Sequence, residues 1–312
     1  MFDHTLAVTL AIAVCGSSCT AANGPNCAVI GYLPEYQIEQ VEPEQCQTLT
    51  CLIYFGLIPQ ANGRIATSPI KEPVLNKLKR IQRRSGCRVL ISVGGWKRSN
   101  GFPALAANQA ARQRFIRDIR LLCRQHGFDG IDYDWEHPKG AFEIASYVRL
   151  LAETKAAFRV DGLLVTVAQA GWQDLGRETY DCIDRIHLMA YDHPYPHSTI
   201  DKAREDVERL IKNGCPPEKI ALGLPLYGRN QAGMARSYSE LIGTRQVNPS
   251  TDNLDGYAFN GRNTITAKVD YAFRRDLAGL MIWEIGQDSR RPTMSLLTTI
   301  DRRLKLRSST TE

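Results

Sequence analysis

The sequence lacks an apolar run near its start that is long enough to cross a bilayer. In this 312-residue chain, residues 6–15 form an apolar segment of about ten residues, whereas a membrane-spanning helix needs about 20. Nine cysteines are too few for a disulfide-built scaffold of this length, and no CxxC pair or histidine-rich spacing suggests a metal site. No Gly-x-Gly-x-x-Gly motif follows the first strand candidate, residues 28–33, which disfavours a nucleotide site. We therefore expect no stable membrane insertion, no cofactor and no metal.

The chain also has no large excess of positive or negative charge. The net charge is only +6, with 43% hydrophobic and 23% charged residues, which is ordinary globular composition. The basic cluster at residues 79–84 falls at helical spacing and indicates a solvated helix face, so we expect no nucleic-acid partner. At ~150 residues per domain the length suggests two domains, but barrels commonly run to ~250 residues as one.

The N-terminus has the pattern of a secretory signal. Residues 6–15 fit its apolar region, and small residues follow them. The start fits less well, since it carries Asp3 and His4 and no Lys or Arg. A disordered or buried N-terminal tail is the alternative. We expect residues 1–22 to be a signal peptide, residues 23–312 to form one domain, and the protein to be secreted or periplasmic.

The cysteine count would change with export. Removal of the signal would take away Cys15 and Cys19 and leave seven cysteines. Because seven is odd, at least one thiol stays free or pairs between chains. Cys27, Cys46 and Cys51 flank the first connection between strand candidates and could supply one bridge.

Short apolar segments rich in Val, Ile, Leu and Tyr recur eight times. Most are apolar throughout, which indicates strands covered on both faces. The strand candidates are residues 28–33, 49–58, 88–93, 130–135, 163–168, 185–191, 219–224 and 279–283. Helical patterns lie between most of them or after the last, at residues 73–84, 103–126, 141–158, 201–211, 264–275 and 293–304. Eight such units predict an α/β fold, a closed (β/α)8 TIM barrel. The polar stretch 231–261 is interpreted as a rim insertion too short for a domain.

Three acidic side chains alternate with large apolar ones along the fourth strand candidate. Asp132, Asp134 and Glu136 are spaced by two, so on a strand they share one face and would point into the barrel. Because like charges repel and burial disfavours ions, the pKa of at least one should rise. Glu136 ends the strand, where barrel active sites open, and is therefore a candidate general acid. The alternatives are a solvated acidic edge or a Ca²⁺ site, although the acids lack the spacing of a calcium loop.

This segment resembles the DGxDxDxE signature of glycoside hydrolase family 18, the chitinase family. Four further segments resemble motifs of the same family, in the same order and each at a predicted strand end. They are SVGG at residues 92–95, MAYD at 189–192, GLPLYGR at 223–229 and GLMIWE at 279–284. Five motifs in order are far more specific than one.

The resemblance implies a retaining hydrolase of β-1,4-N-acetylglucosamine linkages, in which the 2-acetamido oxygen of the substrate attacks the anomeric carbon. Glu136 would be the general acid and base. Asp134 would hold the acetamide N–H, Asp132 would share a proton with Asp134, and Tyr191 would donate its hydroxyl to the acetamido group. Our candidate substrate contacts are Tyr32, Phe55, Trp96, Met189, Asp192, Arg229 and Trp283.

Several of these assignments have plain structural alternatives. Core packing competes for Phe55, Met189 and Trp283, and a rim salt bridge competes for Arg229. His137 we expect beside the site or exposed, since Glu136 already supplies the acid.

The expected partner is chitin or an N-acetylglucosamine oligosaccharide, bound by a monomer. The short rim segment implies an open groove, which favours endo cleavage. Other substrates with the same chemistry are N-glycans and peptidoglycan. A chitin-binding lectin on the same barrel is a further alternative, disfavoured because Glu136 is present.

Overall fold

The computed structural model describes residues 27–68 and 70–309, and the predicted signal peptide lies outside them. The strands of this part are β1 (Ala28–Pro34), β2 (Cys51–Pro59), β3 (Ile65–Ala66), β4 (Arg88–Gly94), β5 (Gly130–Asp134), β6 (Leu164–Ala170), β7 (Arg185–Met189), β8 (Ile220–Pro225), β9 (Tyr227–Asn230), β10 (Ala235–Ser237), β11 (Asn253–Leu254), β12 (Tyr257–Ala258) and β13 (Gly279–Trp283). The α-helices are α1 (Glu72–Ser85), α2 (Phe102–Ala107), α3 (Gln109–His126), α4 (Gly140–Phe158), α5 (Arg177–Asp181), α6 (Ile200–Lys212), α7 (Tyr238–Ile242), α8 (Arg262–Arg274) and α9 (Leu296–Ser308). None of these helices combines the length and apolar composition that a membrane span requires.

Eight parallel strands close into a barrel. Their order around it is β1, β2, β4, β5, β6, β7, β8 and β13, and β13 pairs with β1. Ile30 of β1 stands opposite Cys51 of β2 on one side and Met281 of β13 on the other, so the sheet closes on itself. The predicted (β/α)8 TIM barrel without a large insertion domain is confirmed, and each predicted strand overlaps one of these eight.

The predicted helix 103–126 is wrong as a single helix, because it is divided into α2 and α3. Asn108 between them is extended, with φ −99° and ψ 119°. Its side chain accepts a hydrogen bond from the backbone N–H of Ala111 at 2.9 Å. An Asn in this position satisfies an N–H that has no partner within the helix, so the chain starts a new helix here.

The rim segment after β8 forms a small antiparallel sheet in the order β10-β9-β12-β11, with α7 beside it. Apart from β9, which precedes it, these elements lie in the polar stretch 231–261 that the sequence places at the rim. It forms one wall of the cleft described below, through residues such as Arg236 and Ser237.

The barrel strands separate two apolar layers. The interior holds residues such as Ile30, Cys51 and Ile53, while the layer between strands and helices holds residues such as Cys46. The seven cysteines of the described chain are free thiols. The disulfide bridge considered among Cys27, Cys46 and Cys51 is therefore not formed. Cys46 and Cys51 do not pair with each other because they lie in different layers.

One lysine is buried without a carboxylate directly bonded to it. Lys268 of α8 is fully buried, and its Nζ donates to Ser198 Oγ at 2.7 Å and to Asn260 Oδ1 at 2.8 Å. It thereby joins α8 to the segment after β7 and to the end of the rim segment. Burial lowers the pKa of this amine to about 7, although Asp252 and Asp206 oppose the shift.

The low pKa of Lys268 predicts a pH-dependent stability. An unfolded lysine titrates near ~10.4, so between about pH 7 and that value the unfolded chain binds more protons, and stability should rise with pH. Lys268→Met should flatten this rise in the free energy of unfolding, measured by urea denaturation across that range. Lys79→Met, at an exposed lysine of α1, is the control. An equal slope in wild type and Lys268→Met would show that Lys268 is charged in the folded protein.

Candidate active site

A cleft of about 1150 Å³ opens at the carboxyl ends of the barrel strands. Barrel enzymes place their active sites at this face. Of the candidate site residues, Tyr32, Trp96, Asp134, Glu136, Met189, Tyr191, Asp192, Arg229 and Trp283 line the cleft. The other two, Asp132 and Phe55, are buried next to it. The candidate residues are thus gathered at one place.

The acids of β5 face the barrel interior. Ile131 and Tyr133, which alternate with them, pack in the outer apolar layer. Asp132 is fully buried, Asp134 lies above it and lines the cleft, and Glu136 follows the strand end with its side chain 16% exposed. The row therefore runs from the barrel interior to the cleft, with Glu136 outermost.

Asp132 is fixed by contacts from three other strands. Its carboxylate accepts from Tyr32 Oη at 2.7 Å and from Thr166 Oγ1 at 2.6 Å, and it lies 3.0 Å from His187 Nδ1. Burial alone would raise the pKa of Asp132, but the contacts with these groups outweigh it and lower the pKa. Asp132 is therefore held ionised, and the expected sharing of a proton with Asp134 stays a prediction.

Asp134 lies between two acidic neighbours. Burial, and then the charges of Glu136 and Asp132, raise the pKa of Asp134 well above its usual range. Its Oδ1 is buried and has no hydrogen-bond partner among the described residues. The protonated form of Asp134 is thus favoured, and one oxygen remains open to a group entering the cleft.

Glu136 has the properties of a proton donor. Burial and the charge of Asp192 raise its pKa to about 7, opposed by a backbone hydrogen bond from Trp96. Its own backbone N–H donates to Ser99 Oγ at 3.0 Å, which fixes the segment after β5. The imidazole Nε2 of His137 lies 3.7 Å from Glu136 Oε2.

Asp192 is held as a carboxylate on the wall beside Glu136. Tyr227 Oη donates to it at 2.6 Å, and Arg229 Nε lies 2.7 Å away. Burial would raise the pKa of Asp192, but hydrogen bonds from His197 and Tyr227 and the charge of Arg229 lower it. Arg229 is thus both a cleft residue and the partner in a salt bridge.

The hydroxyl of Tyr191 makes only a weak hydrogen-bond contact with the described residues. Its Oη lies 3.7 Å from the thioether sulfur of Met281, which is a weak acceptor. The ring is buried, and Met189 lines the cleft in the same strand segment. The hydroxyl is therefore available to a ligand.

Trp283 forms an aromatic cluster with two of the other candidates. Its ring centroid is 5.5 Å from that of Tyr32 and 5.3 Å from that of Phe55, the latter at 89°. Phe55 is not part of the cleft surface and supports Trp283 from the side. Trp96, by contrast, is 68% exposed at the cleft.

Two glycines let the segment after β4 approach β5. A Cβ on Gly94 would lie 2.2 Å from the carbonyl oxygen of Asp134, and one on Gly95 would lie 2.3 Å from the ring of Phe55. Both have positive φ, +105° and +101°. Gly95 N donates to the Asp134 carbonyl at 2.6 Å, so this close approach positions the carboxylate strand.

Sequence reasoning missed several residues of the site. His187, Thr166 and Tyr227 hold the two ionised carboxylates, and Trp172 stands exposed at the cleft. His187 lies two residues before Met189 on β7, so strand alternation could have found it. Nothing in the local sequence marks Trp172. Within the described ranges, no group of three or more His, Cys, Asp or Glu side chains is arranged to hold a metal ion.

Known sequences similar to this chain include glycosyl hydrolases and chitinases. The sequence model of the glycosyl hydrolases family 18 matches residues 28–288. Probable chitinase 2 of Drosophila melanogaster is 26% identical over 274 residues, covering 64% of this chain and 56% of that protein. Chitinase 1 of Aphanocladium album is 28% identical over 285 residues, covering 72% and 67%. The chain thus spans roughly half to two thirds of the length of these two relatives.

Solved structures of chitinases are also similar to this fold. The chitinase ChiB from the chitin utilization locus of Flavobacterium johnsoniae superposes with a TM-score of 0.79 at 26% identity, covering 89% of this chain and 93% of that chain. A Cycas revoluta chitinase in complex with (GlcNAc)3 gives 0.76 at 25% identity, covering 89% and 99%. Since the family match extends over most of the described barrel and includes the acidic strand, this chain belongs to family 18 of the glycosyl hydrolases.

Proposed function

We propose that this protein is a retaining hydrolase of β-1,4 linkages between N-acetylglucosamine units in chitin or chitooligosaccharides. The observation that carries the proposal is the row of carboxyls along β5 and just beyond its end. In this row Asp132 is ionised, Asp134 is buried between acids, and Glu136 has a pKa of about 7 at the cleft. The likeness to chitinases, one of them solved with (GlcNAc)3, supports this substrate class.

Glu136 is the general acid and then the general base. A carboxyl with this pKa keeps its proton below about pH 7 and can pass it to the glycosidic oxygen as the bond breaks. The same carboxylate then accepts a proton from the water that attacks the intermediate. Its position at the outer end of the row gives both the sugar and the water access.

The nucleophile in this proposal is the substrate's own acetamido oxygen, which forms an oxazolinium ion at the anomeric carbon. Of the other candidate carboxyls that line the cleft, Asp134 is favoured in its protonated form and Asp192 is bound by Tyr227 and Arg229, so neither is suited to that role. Family 18 is known as an exception to the two-carboxylate scheme of retaining glycosidases.

The acetamido group has two complementary partners in the cleft. Asp134 Oδ1, which is buried and unpaired, can accept the acetamide N–H. Once the proton of Asp134 has passed to the neighbouring ionised carboxylate of Asp132, Asp134 can stabilise the developing positive charge. The Tyr191 hydroxyl can donate to the acetamide carbonyl and fix its angle of attack. Trp283 then offers a flat face to the sugar ring.

The pH dependence should report Glu136. Activity on chitohexaose should fall as the pH rises through about 7, because Glu136 loses its proton there. Asp192→Asn removes the charge that, after burial, most raises this pKa, so the alkaline limb of kcat should move to lower pH. Asp181→Asn, at an exposed residue of α5, is the control. If Asp192→Asn left the alkaline limb unchanged, the charge of Asp192 would not be acting on the pKa of Glu136.

A parallel product assay tests the substrate class. Chitohexaose, an N-glycosylated protein and peptidoglycan are incubated with the enzyme, and the released sugars are identified by mass spectrometry. We expect chitohexaose to be cut fastest. Faster release from either of the other two would assign the site to that polymer, and binding of chitin without turnover would indicate a lectin.

Two parts of the account concern the whole protein. We propose export through the signal at residues 1–22 and action as a monomer on a polymer outside the cytoplasm. Detection of a mature chain that begins after the signal, in the culture medium or periplasm, would support the first part. Sedimentation would test the second.

A further inference from the structure

Trp172 is a large aromatic side chain at the cleft that the proposed reaction leaves unused. It follows β6 by two residues, lines the cleft and is 65% exposed. An indole exposed to this extent contributes little to the core. Its position at the cleft therefore indicates a contact with a ligand.

The backbone that carries Trp172 is held on both sides. Arg209 Nη1 donates to the Gly171 carbonyl at 2.7 Å, and Gln169 Nε2 donates to the Gln173 carbonyl at 2.8 Å. A Cβ on Gly171 would come within 2.1 Å of the Asp206 carboxyl carbon, so only glycine lets that carboxylate approach.

Asp206 is itself fixed beneath this turn. It is buried, lies 3.1 Å from Arg209 Nη1 and contacts His193 Nε2 at 2.7 Å. Buried carboxylates are stable only when they are paired in this way. Trp172 is thus displayed by a rigid turn.

His137 supports the indole ring and links it to the proton donor. The ring centroids of His137 and Trp172 are 4.9 Å apart at 71°, an edge-to-face contact. The same imidazole also approaches Glu136, with Nε2 3.7 Å from Oε2. Trp172 therefore stands one side chain away from the proposed acid.

The barrel geometry assigns a side of the cleft to this pair. β5, which leads to Glu136, and β13, which carries Trp283, are four strands apart in either direction around the barrel. In the proposed reaction, a sugar that stacks on Trp283 and receives a proton from Glu136 has its leaving partner beyond Glu136, on the side away from Trp283. The turn after β6, next to β5, lies on that side.

We infer that Trp172, supported by His137, is a specificity-determining residue that stacks on the leaving part of the sugar chain. The inference rests on the proposed function, since the leaving side is defined by Glu136 as the acid. Apolar C–H faces of N-acetylglucosamine rings are suitable partners for an exposed indole. His137 is a positioning residue, acting through the ring of Trp172.

The test compares Trp172→Ala and Trp172→Phe with wild type on chitohexaose carrying ¹⁸O at its reducing end, which reports the bond that is cut. Phe142→Ala removes another highly exposed aromatic outside the cleft and is the matched control. We expect kcat/KM to fall about threefold to tenfold in Trp172→Ala, with most of it recovered in Trp172→Phe. Cuts that release long reducing-end fragments should become rarer. An unchanged or opposite cleavage pattern would overturn the assignment to the leaving side.

A binding measurement separates this inference from the proposed function. In the Glu136→Gln background, adding Trp172→Ala should weaken chitohexaose binding about threefold to tenfold by calorimetry. Equal affinity would overturn the stacking role whether or not the wild type hydrolyses chitin, whereas an inactive wild type would overturn only the proposed reaction.

The role of His137 has its own pair of variants. His137→Ala should reproduce part of the Trp172→Ala change in cleavage pattern, and His137→Phe should restore it, because a ring of similar shape remains. Failure of His137→Phe to restore the pattern would show that His137 does not act through ring contact.

Discussion

Glu136→Gln will lower kcat on chitohexaose by at least about 10²-fold while the barrel remains folded. General acid–base catalysis contributes about 10² to 10⁴ in rate, and a glutamine of the same shape can neither give nor accept the proton. The side chain is partly buried and lies 3.7 Å from the imidazole of His137, whose neutral form is favoured because burial lowers its pKa. A neutral glutamine therefore leaves no opposite charge without its partner, and the fold should tolerate the change.

The measurement is initial-rate hydrolysis together with thermal unfolding and chitohexaose affinity. Glu178→Gln, at an exposed residue of α5, is the matched control and should behave as wild type. Near-normal turnover in Glu136→Gln would remove Glu136 from its role.

Asp134→Asn is expected to lower kcat by about 10² to 10³, the cost of removing one group that stabilises charge in the transition state. Asparagine keeps the size of the side chain but cannot become the anion that the developing positive charge requires. The substitution also removes a carboxyl next to the ionised Asp132 and so reduces the charge repulsion between them. The loss of kcat should therefore not arise from unfolding.

The form of the loss distinguishes this role from simple binding. Asp134 should affect kcat more than KM, because the contact strengthens as charge develops. Asp181→Asn serves again as the exposed control. A change confined to KM would make Asp134 a ground-state contact and would assign charge stabilisation to another group.

The barrel and the direction of the acids are predictable from local patterns. Strands covered on both faces are apolar throughout, and the alternation from Ile131 to Glu136 determines which side chains face inward. Both depend on neighbours along the chain. The division of residues 103–126 into two helices was harder to predict, because the capping by Asn108 outweighs an otherwise helical pattern.

The protonation states could not be predicted in the same way. Asp132 is ionised because Tyr32, Thr166 and His187 reach it from three different strands, whose juxtaposition appears only when the barrel closes. The sequence predicted that at least one pKa in the row would rise. It did not show that the pKa of Asp132 is lowered while those of Asp134 and Glu136 are raised. The contact between Trp172 and His137 likewise joins turns that are distant in sequence.

The most direct test of the retaining course, on which the substrate-assisted mechanism depends, is the anomeric form of the first product. Proton NMR recorded early in chitohexaose hydrolysis, before mutarotation, distinguishes the two anomers at the new reducing end. Two successive displacements at the anomeric carbon, first by the acetamido oxygen and then by water, predict the β-anomer. Initial formation of the α-anomer would mean a single displacement by water and would contradict the proposed mechanism.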